Sequence, residues 1–570
     1  MKKQYFLAIA MFMLLTVFAA CSSDDNLDNG KGKVDVASKF EFPVTFADYN
    51  NDVQVGNTRA AANSSDTLKH EFVNMGNGIV ADVTLQRDKE NLSGNPDKSA
   101  STRTLPNDSY RMLAYQGGTL KGGLDGFISG GNFIPIAGNP ESMSLAPGNY
   151  DFVLYPTSRF GFTGNNLTPL LIDEYAILGR TNYTVTATPQ KQKVPFEMKH
   201  TVARVRFKLN TYVKLPQSNI ALSYSAANPA EGPSYTVYDA ATGTWSTLGT
   251  GRTFSLGDGS AWTESTDGSV YSYTSPDYSY IFPGSNITNL KVNFFNARIY
   301  TENLNGKTLT FALTPVLASV ANGSYLISIT FHYNFLYLMT DGTTGLFSET
   351  TYGGGTKTPI AVVISQSKKL AAALEKTSYS GGSYYSGQVN NSVVNVPSYS
   401  AWTGAQIFSS DGADGYKFTW EASGSADGTT IKANEQTNFP EFYSAAHYTP
   451  TLPAGKTLTG SIVGKKWFLP SLGEVLKIYP ALKDLDNSAG YNARTMGGGM
   501  IDNTFWFLGS AYTPITPNGM ASMAFRQVNG VSPNNLMITS SRSDTGQPIM
   551  ADYYIKIGNY NGEVRPFIHY

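Results

Sequence analysis

One cysteine, Cys21, serves a chain of 570 residues. A single thiol allows no internal disulfide, and its place ahead of every folded-looking segment leaves no thiol nucleophile or cysteine-ligated metal site. Charge is scarce as well. Charged residues make up 15% of the chain and the formal net charge is −1, against about 25% charged residues in an ordinary globular chain. Bulk electrostatics therefore single out neither nucleic acid nor an acidic ligand. The five histidines, His70, His200, His332, His447 and His569, are scattered without H-E-x-x-H spacing and predict structural or surface roles. No G-x-S-x-G elbow or phosphate loop is present, and Met496-Gly-Gly-Gly499 lacks the strand-then-helix context of a nucleotide site. Asp411 and Asp414 sit in Asp-Gly-Ala-Asp-Gly, a turn before it is a calcium loop, because the alternating aspartates and closing glutamate of a calcium-binding hand are missing. The sequence thus predicts no catalytic residue, cofactor or metal, and no enzyme. Beyond residue 21 no apolar run is long enough to cross a bilayer.

What is present begins at the N-terminus. Lys2 and Lys3 form a positive region, Tyr5 to Val17 an apolar stretch too short for a membrane span, and Ala19-Ala20 the small residues a signal peptidase needs. Residues 1–20 are expected to be a signal peptide. The segment resembles a bacterial lipoprotein signal, with Phe18 in place of the usual aliphatic residue. That resemblance implies acylation of Cys21, by palmitate among other chains, and anchoring at the outer membrane. The Ser22 to Asp25 run is similar to the surface-export signal of lipoproteins in gut and oral anaerobes. An ordinary secretory leader with an incidental cysteine is the plainer alternative. Residues 21–39, rich in Asp, Lys, Gly and Ser, are expected to be a tether.

Glycine (55), tyrosine (35) and phenylalanine (31) are abundant, a composition that favours sheets over helices. Alternating segments at 40–46, 79–85, 110–115, 149–155 and 182–187 predict an N-terminal β-sandwich over residues 40–195, with Pro43 marking an edge strand. A second sandwich is expected over 196–376. Its strand Thr201–Leu209 places Val202, Arg204, Arg206 and Lys208 on a mostly wet face and Ala203, Val205, Phe207 and Leu209 on the core face. Further strands follow at 290–294, 308–313 and 324–332. A weak internal echo links Leu145–Tyr155 with Val320–Thr330. Residues 377–399 read as a linker. Residues 400–570 hold four of the six tryptophans, Trp402, Trp420, Trp467 and Trp506, and a short helix at 470–479, with Ser471 as N-cap, Glu474 three residues on, and Leu472, Val475, Leu476 and Tyr479 as its buried stripe. The whole is expected to be mainly β, with an α+β module at the C-terminus.

Phe196-Glu-Met-Lys-His200-Thr-Val-Ala203-Arg204-Val-Arg-Phe207 resembles the strand F-x-x-x-H-x-x-A-R/K-V/L-x-F of fimbrillin-type pilins from anaerobic gut and oral bacteria. Val44-Thr-Phe46 with Asn57-Thr-Arg59-Ala60 is similar to the start of those pilins, and Thr102-Arg103 with Tyr110–Tyr115 to their next strands. The likeness spans roughly residues 18–370. It implies two transthyretin-like sandwiches, a fimbrial location, and assembly in which a trypsin-like protease removes the first strand and a neighbouring subunit's strand fills the groove. Arg59, in a loop of small and polar residues, is the first choice for that cut and Arg103 the second. Farther on, Trp467-Phe-Leu-Pro-Ser471-Leu-Gly-Glu474, Phe505–Ser510 and Val564-Arg-Pro-Phe567 resemble the signatures of a C-type-lectin-like module. Phe507-Leu508 replaces its usual double serine, and the Glu-Pro-Asn and Gln-Pro-Asp tripeptides of calcium-dependent sugar binding are missing. Together these likenesses imply a tip or accessory pilin. Its expected partners are other pilin subunits, a host-surface protein or glycan, and the membrane through its lipid. The alternative is a glycan-binding surface lipoprotein that does not polymerise.

Overall fold

The computed structural model describes residues 32–49, 67–88, 108–136, 143–188, 191–215, 221–228, 232–249, 254–255, 262–275, 277–295, 297–300, 302–379, 414–482, 519–533, 537–542, 548–551, 555–557 and 562–570. The chain is mainly β, and its contacts divide it into two units. The first draws on residues 1–52, 90–202 and 235–248, the second on 53–89, 203–234 and 249–570.

In the first unit a seven-stranded sheet runs in the order Val44–Phe46, Phe196–His200, Ile177–Val185, Gly148–Pro156, Tyr110–Gln116, Thr119–Ser129, Asn132–Pro135. Every pairing is antiparallel except the one between Val44–Phe46 and Phe196–Met198. Alternation along its central strands buries both faces. Met112, Ala114, Phe152 and Leu154 enter one core with Phe42 and Phe196. Leu113, Tyr115, Val153 and Tyr155 enter another with Leu167 and Tyr238 of a four-stranded sheet (160–163, 166–169, 235–239, 244–248). A strand whose two faces are both covered reads as a nearly continuous apolar run, as Phe152-Val-Leu-Tyr155 does.

The second unit is built on a sheet in the order 263–266, 271–274, 203–211, 324–333, 79–87, 67–76, faced by a four-stranded sheet (254–255, 221–226, 289–295, 308–312). Here the structure departs from the sequence segments. Strand Ile79–Arg87 pairs residue for residue with Ser324–Tyr333, from Ile79 opposite Tyr333 to Arg87 opposite Tyr325, and its Val83 and Leu85 join the second unit's core. It therefore sits among strands of the 196–376 segment rather than with its sequence neighbours. The division also falls inside the expected opening strand, between Val202 and Ala203, so Phe196–His200 completes the first unit.

A six-stranded sheet closes the second unit in the order Thr344–Leu346, Leu336–Met339, Pro359–Ser365, Leu370–Ala373, Phe567–His569, Trp467–Phe468. Four of its strands come from before residue 377 and two from after residue 400. One core runs from Phe207 and Phe331 through Tyr337, Val362 and Phe525 to Phe468 and Phe567. Residues 377–379 continue this region, since the Thr377 N–H donates to Val564 O at 2.9 Å. The rest of the expected linker, 380–399, lies outside the described residues.

Two local expectations have clear outcomes. The short helix is present at Leu472–Leu476, with Ser471 and Glu474 forming a reciprocal capping box and Leu472 and Val475 buried. The wet face of the strand after His200 is not wet. Arg204 and Arg206 are each 6% exposed. Arg206 meets Asp88 at 2.6 Å, Tyr278 Oη donates to the same carboxylate at 2.7 Å, and the Arg204 guanidinium lies 3.8 Å from the centre of the Tyr278 ring. Alternation marks which side chains share a face, but it does not tell a solvated arginine from one covered by a distant carboxylate and ring.

Candidate functional site

Residues 34–49 thread along the first unit and touch it on two sides. Val34 and Asp35 pair antiparallel with Leu145 and Ser144, and the Val36 N–H donates to Met143 O at 2.9 Å. Asp35 then caps a single helical turn, Val36–Lys39, accepting from the Ala37 N–H at 3.2 Å and the Ser38 hydroxyl at 2.7 Å. Phe40 and Glu41 run parallel to Gln192 and Lys193, with Lys193 Nζ 3.5 Å from the Glu41 carboxylate. Pro43 breaks the ladder, and Val44–Phe46 resumes it parallel to Phe196–Met198. Parallel ladders of two and three residues are short, so most of the hold on this segment must come from its side chains.

The other side of the segment faces the far edge of the same sheet. The Val44 N–H donates to Gly131 O at 2.8 Å and the Phe133 N–H to Phe42 O at 2.9 Å. On the near side, the Phe196 N–H donates to Pro43 O at 2.7 Å and the Ala47 N–H to Met198 O at 2.9 Å. Residues 42–47 thus lie between Phe196–His200 and Asn132–Pro135, the last strand at the other end of the sheet, and close the gap between them. The tight turn before Asn132 makes this approach possible. Gly130 and Gly131 both have positive φ (57° and 73°), the backbone conformation this turn requires.

Four apolar side chains of the segment, Val36, Phe40, Phe42 and Val44, are buried in the core. Each is worth about 1.5–3 kcal/mol of burial. Phe42 is central, with ring centroids 6.0 Å from Phe40, 5.9 Å from Phe133 and 6.4 Å from Phe196. At the far end His200 is clamped between two side chains of the segment. Its ring stacks on Tyr49 at 3.6 Å and 18°, and meets Phe46 edge-on at 4.8 Å and 82°.

Alternation at 40–46 marks an edge strand and His200 belongs to the motif at 196–207, but nothing in the sequence pairs His200 with Tyr49. The signal was available only once the parallel register was known, because Met198 opposite Phe46 carries His200 to the level of the residues beyond Phe46. The expected lipidation site, Cys21, and the expected cleavage sites, Arg59 and Arg103, lie outside the described residues. In sequence, Arg59 falls between Tyr49, where the described segment ends, and Thr67, where the second unit's first strand begins.

Among the described residues of the second unit, one group of side chains has metal-ligand chemistry. Asp414, Glu474 and His569 each bring a ligand atom to within 4.8 Å of the others. All three already serve the fold. Asp414 caps helix Gly415–Trp420 through the Lys417 N–H at 3.1 Å. Glu474 Oε2 accepts from the Ser471 N–H at 2.7 Å, the Ser471 hydroxyl at 3.0 Å and the Gly415 N–H at 3.1 Å, and burial pushes its carboxyl up to about 7. His569 Nδ1 lies 3.2 Å from Lys368 O, and its ring stacks on Phe468 at 5.0 Å. Asp411 lies outside the described residues, as do Trp402 and Trp506. Trp467 is buried, and Trp420 donates from Nε1 to Trp467 O at 2.8 Å.

The fold and this site define a β-sandwich-like protein with one sheet closed by its own N-terminal segment. Residues 180–351 match a family model described as fimbrillin-like. Among curated proteins no match is found. Among solved structures, the chain is similar to one described as a cell adhesion protein from Bacteroides uniformis, with 17% identity over 39% of this chain and 86% of the other, at a TM-score of 0.27. A second, described as a cell adhesion protein from Bacteroides fragilis, shares 14% identity over 54% of this chain and 96% of the other, at a TM-score of 0.24. A third, a fimbrial protein from Bacteroides vulgatus, shares 11% identity over 41% of this chain and 94% of the other, at a TM-score of 0.25.

Proposed function

We propose that the protein is a lipid-anchored fimbrial subunit of the outer surface that assembles by strand exchange and acts in adhesion. The observation that carries this reading is the segment 34–49: a stretch hydrogen-bonded on both sides to strands of one sheet, with four apolar side chains in the core, joined to the rest of the protein through the stretch that contains Arg59. Cleavage after Arg59 would leave the segment held by non-covalent contacts alone. Its departure would expose a groove with unpaired N–H and C=O groups on both walls, which an alternating strand from a neighbouring subunit satisfies. Arg103 remains the second choice for the cut.

The fimbrillin-like match over residues 180–351 supports the reading, because it covers the strand that lines the groove. We place the subunit at the tip or in an accessory position. Strand Phe567–His569 is held between Leu370–Ala373 and Trp467–Phe468 and so is not a spare donor strand. We further read the two sandwiches as transthyretin-like and residues 400–570 as C-type-lectin-like, with anchoring through acylated Cys21. N-terminal sequencing of the protein recovered from its own cell surface tests the scheme. A start at Ala60 is expected for assembled subunits and one at Cys21 for the unprocessed lipoprotein. A surface population that starts only at Cys21, even within fimbriae, would overturn processing at Arg59.

A further inference from the structure

The bonds that hold residues 40–47 to one wall of their groove follow a single pattern with one member missing. In a parallel ladder, a residue facing the other strand donates its N–H to one residue there and accepts at its C=O from the residue two places further on. Val194 N–H donates to Glu41 O at 2.9 Å, Phe196 N–H to Pro43 O at 2.7 Å, and Ala47 N–H to Met198 O at 2.9 Å. With Phe196 opposite Val44 and Met198 opposite Phe46, the same pattern brings the N–H of residue 43 to Val194 O. Residue 43 is proline, which has no N–H.

Nothing replaces that bond. Val194 is fully buried, so its carbonyl is closed to solvent, and no described residue donates to it. A proline on an edge strand ordinarily turns its nitrogen to water. Here Pro43 O accepts from Phe196, so the nitrogen of the same residue faces the same wall of the groove. The opposite wall is fully served by its neighbours, since Val44 N–H donates to Gly131 O and Phe42 O accepts from the Phe133 N–H. A buried carbonyl left without a donor costs more than an ordinary hydrogen bond contributes. The stiffness of proline, which limits the unbound segment, offsets only part of that cost.

We propose that Pro43 makes the resident segment a weak occupant of its own groove, and that the groove selects an incoming strand from a neighbouring subunit with a residue other than proline facing Val194. Such a strand completes the ladder that the resident one leaves open. It needs apolar side chains in the places of Phe40, Phe42 and Val44, because these enter the core. Two strands of that pattern bury similar apolar surface, so the bond to Val194 O gives exchange its direction. Before cutting, the four buried apolar side chains of the segment and its covalent link keep the sheet closed in spite of the missing bond. This inference rests on the strand-exchange reading and states which strand wins under it.

The test uses the full chain carrying Cys21→Ala, cut briefly with trypsin and then treated with a trypsin inhibitor. Three isotope-labelled peptides of residues 32–49 are loaded separately: the native sequence, Pro43→Ala, and Pro43→N-methylalanine, which lacks the proline ring and the N–H alike. Native mass spectrometry times the release of each after unlabelled native peptide is added in excess. The Pro43→Ala peptide should leave about fivefold more slowly, or slower still, than either of the other two. Equal release of the alanine and N-methylalanine peptides overturns the proposal and leaves strand exchange standing. Faster release of Pro43→Ala than of the native peptide does the same. Uptake of none of the three by cut protein sinks the strand-exchange reading, and this inference with it.

Discussion

His200 shows what one side chain does here. It belongs to the strand that stays, yet its two ring neighbours, Tyr49 and Phe46, belong to the segment proposed to leave. An aromatic pair of this kind is worth about 0.5–1.5 kcal/mol beyond its area. His200→Ala should therefore speed release of the cut N-terminal fragment by about two- to tenfold and leave the rate of cutting unchanged. Surface plasmon resonance on fragment immobilised through its N-terminus measures both, and an unaltered release rate would remove His200 from the hold. A second buried group gives a pH signature. Burial raises the Glu474 carboxyl from 4.5 to about 7, so the folded state binds this proton more tightly than the unfolded state does. Its contribution is fully present below about pH 4.5 and is lost as pH rises through 7, a loss of at most about 3 kcal/mol. The thermal transition of the second unit should fall between pH 5 and 8, and Glu474→Gln should flatten that fall. An equal slope in wild type and variant would mean that Glu474 does not titrate in this range.

Elements are legible wherever alternation, turn residues or a cap mark them, whether or not their partners are local. Strands at 110–116, 148–156, 289–295 and 324–333 follow from alternation and turn residues, and the capped helix at Leu472–Leu476 follows from Ser471 and Glu474. What alternation cannot supply is the partner. Strand Ile79–Arg87 has the same pattern as its sequence neighbours, but its cross-strand partners lie in Ser324–Tyr333. Arg204 and Arg206 likewise read as solvated until Asp88 and Tyr278 are brought over them. The terminal strand makes the same point from the other side. Arg565 is fully buried, with Nη1 donating to Ala373 O at 2.9 Å and Nη2 to Val531 O at 3.1 Å, so residues 563–570 join strands far apart in sequence. Deleting 563–570 should abolish hydrogen-exchange protection in Leu336–Met339, Pro359–Ser365 and Leu370–Ala373 while the first unit keeps its own. Retained protection in those strands would show that the sheet stands without its fifth strand.

At the scale of the whole molecule, composition and alternation point to a mainly β chain, and the structure adds where the segment 34–49, read as a leaving strand only through the fimbrillin resemblance, sits. The pairing across units' sequence limits was not visible, because it depends on which strand edges are left open once the sheets form. The candidate groove was half legible. Pro43 and the alternation at 40–46 marked an edge, whereas the second wall at Gly131–Phe133 follows only from the closed sheet. The central claim is that residues 34–49 form a replaceable strand. Native mass spectrometry of the full chain carrying Cys21→Ala, before and after brief trypsin treatment, with an isotope-labelled peptide of residues 32–49 in excess, tests it most directly. The account predicts no uptake by intact protein, uptake of one labelled peptide per chain after cutting, and no uptake by Arg59→Ala. Cut protein that keeps its own fragment and takes up none, or intact protein that takes up peptide as readily as cut protein, would contradict it.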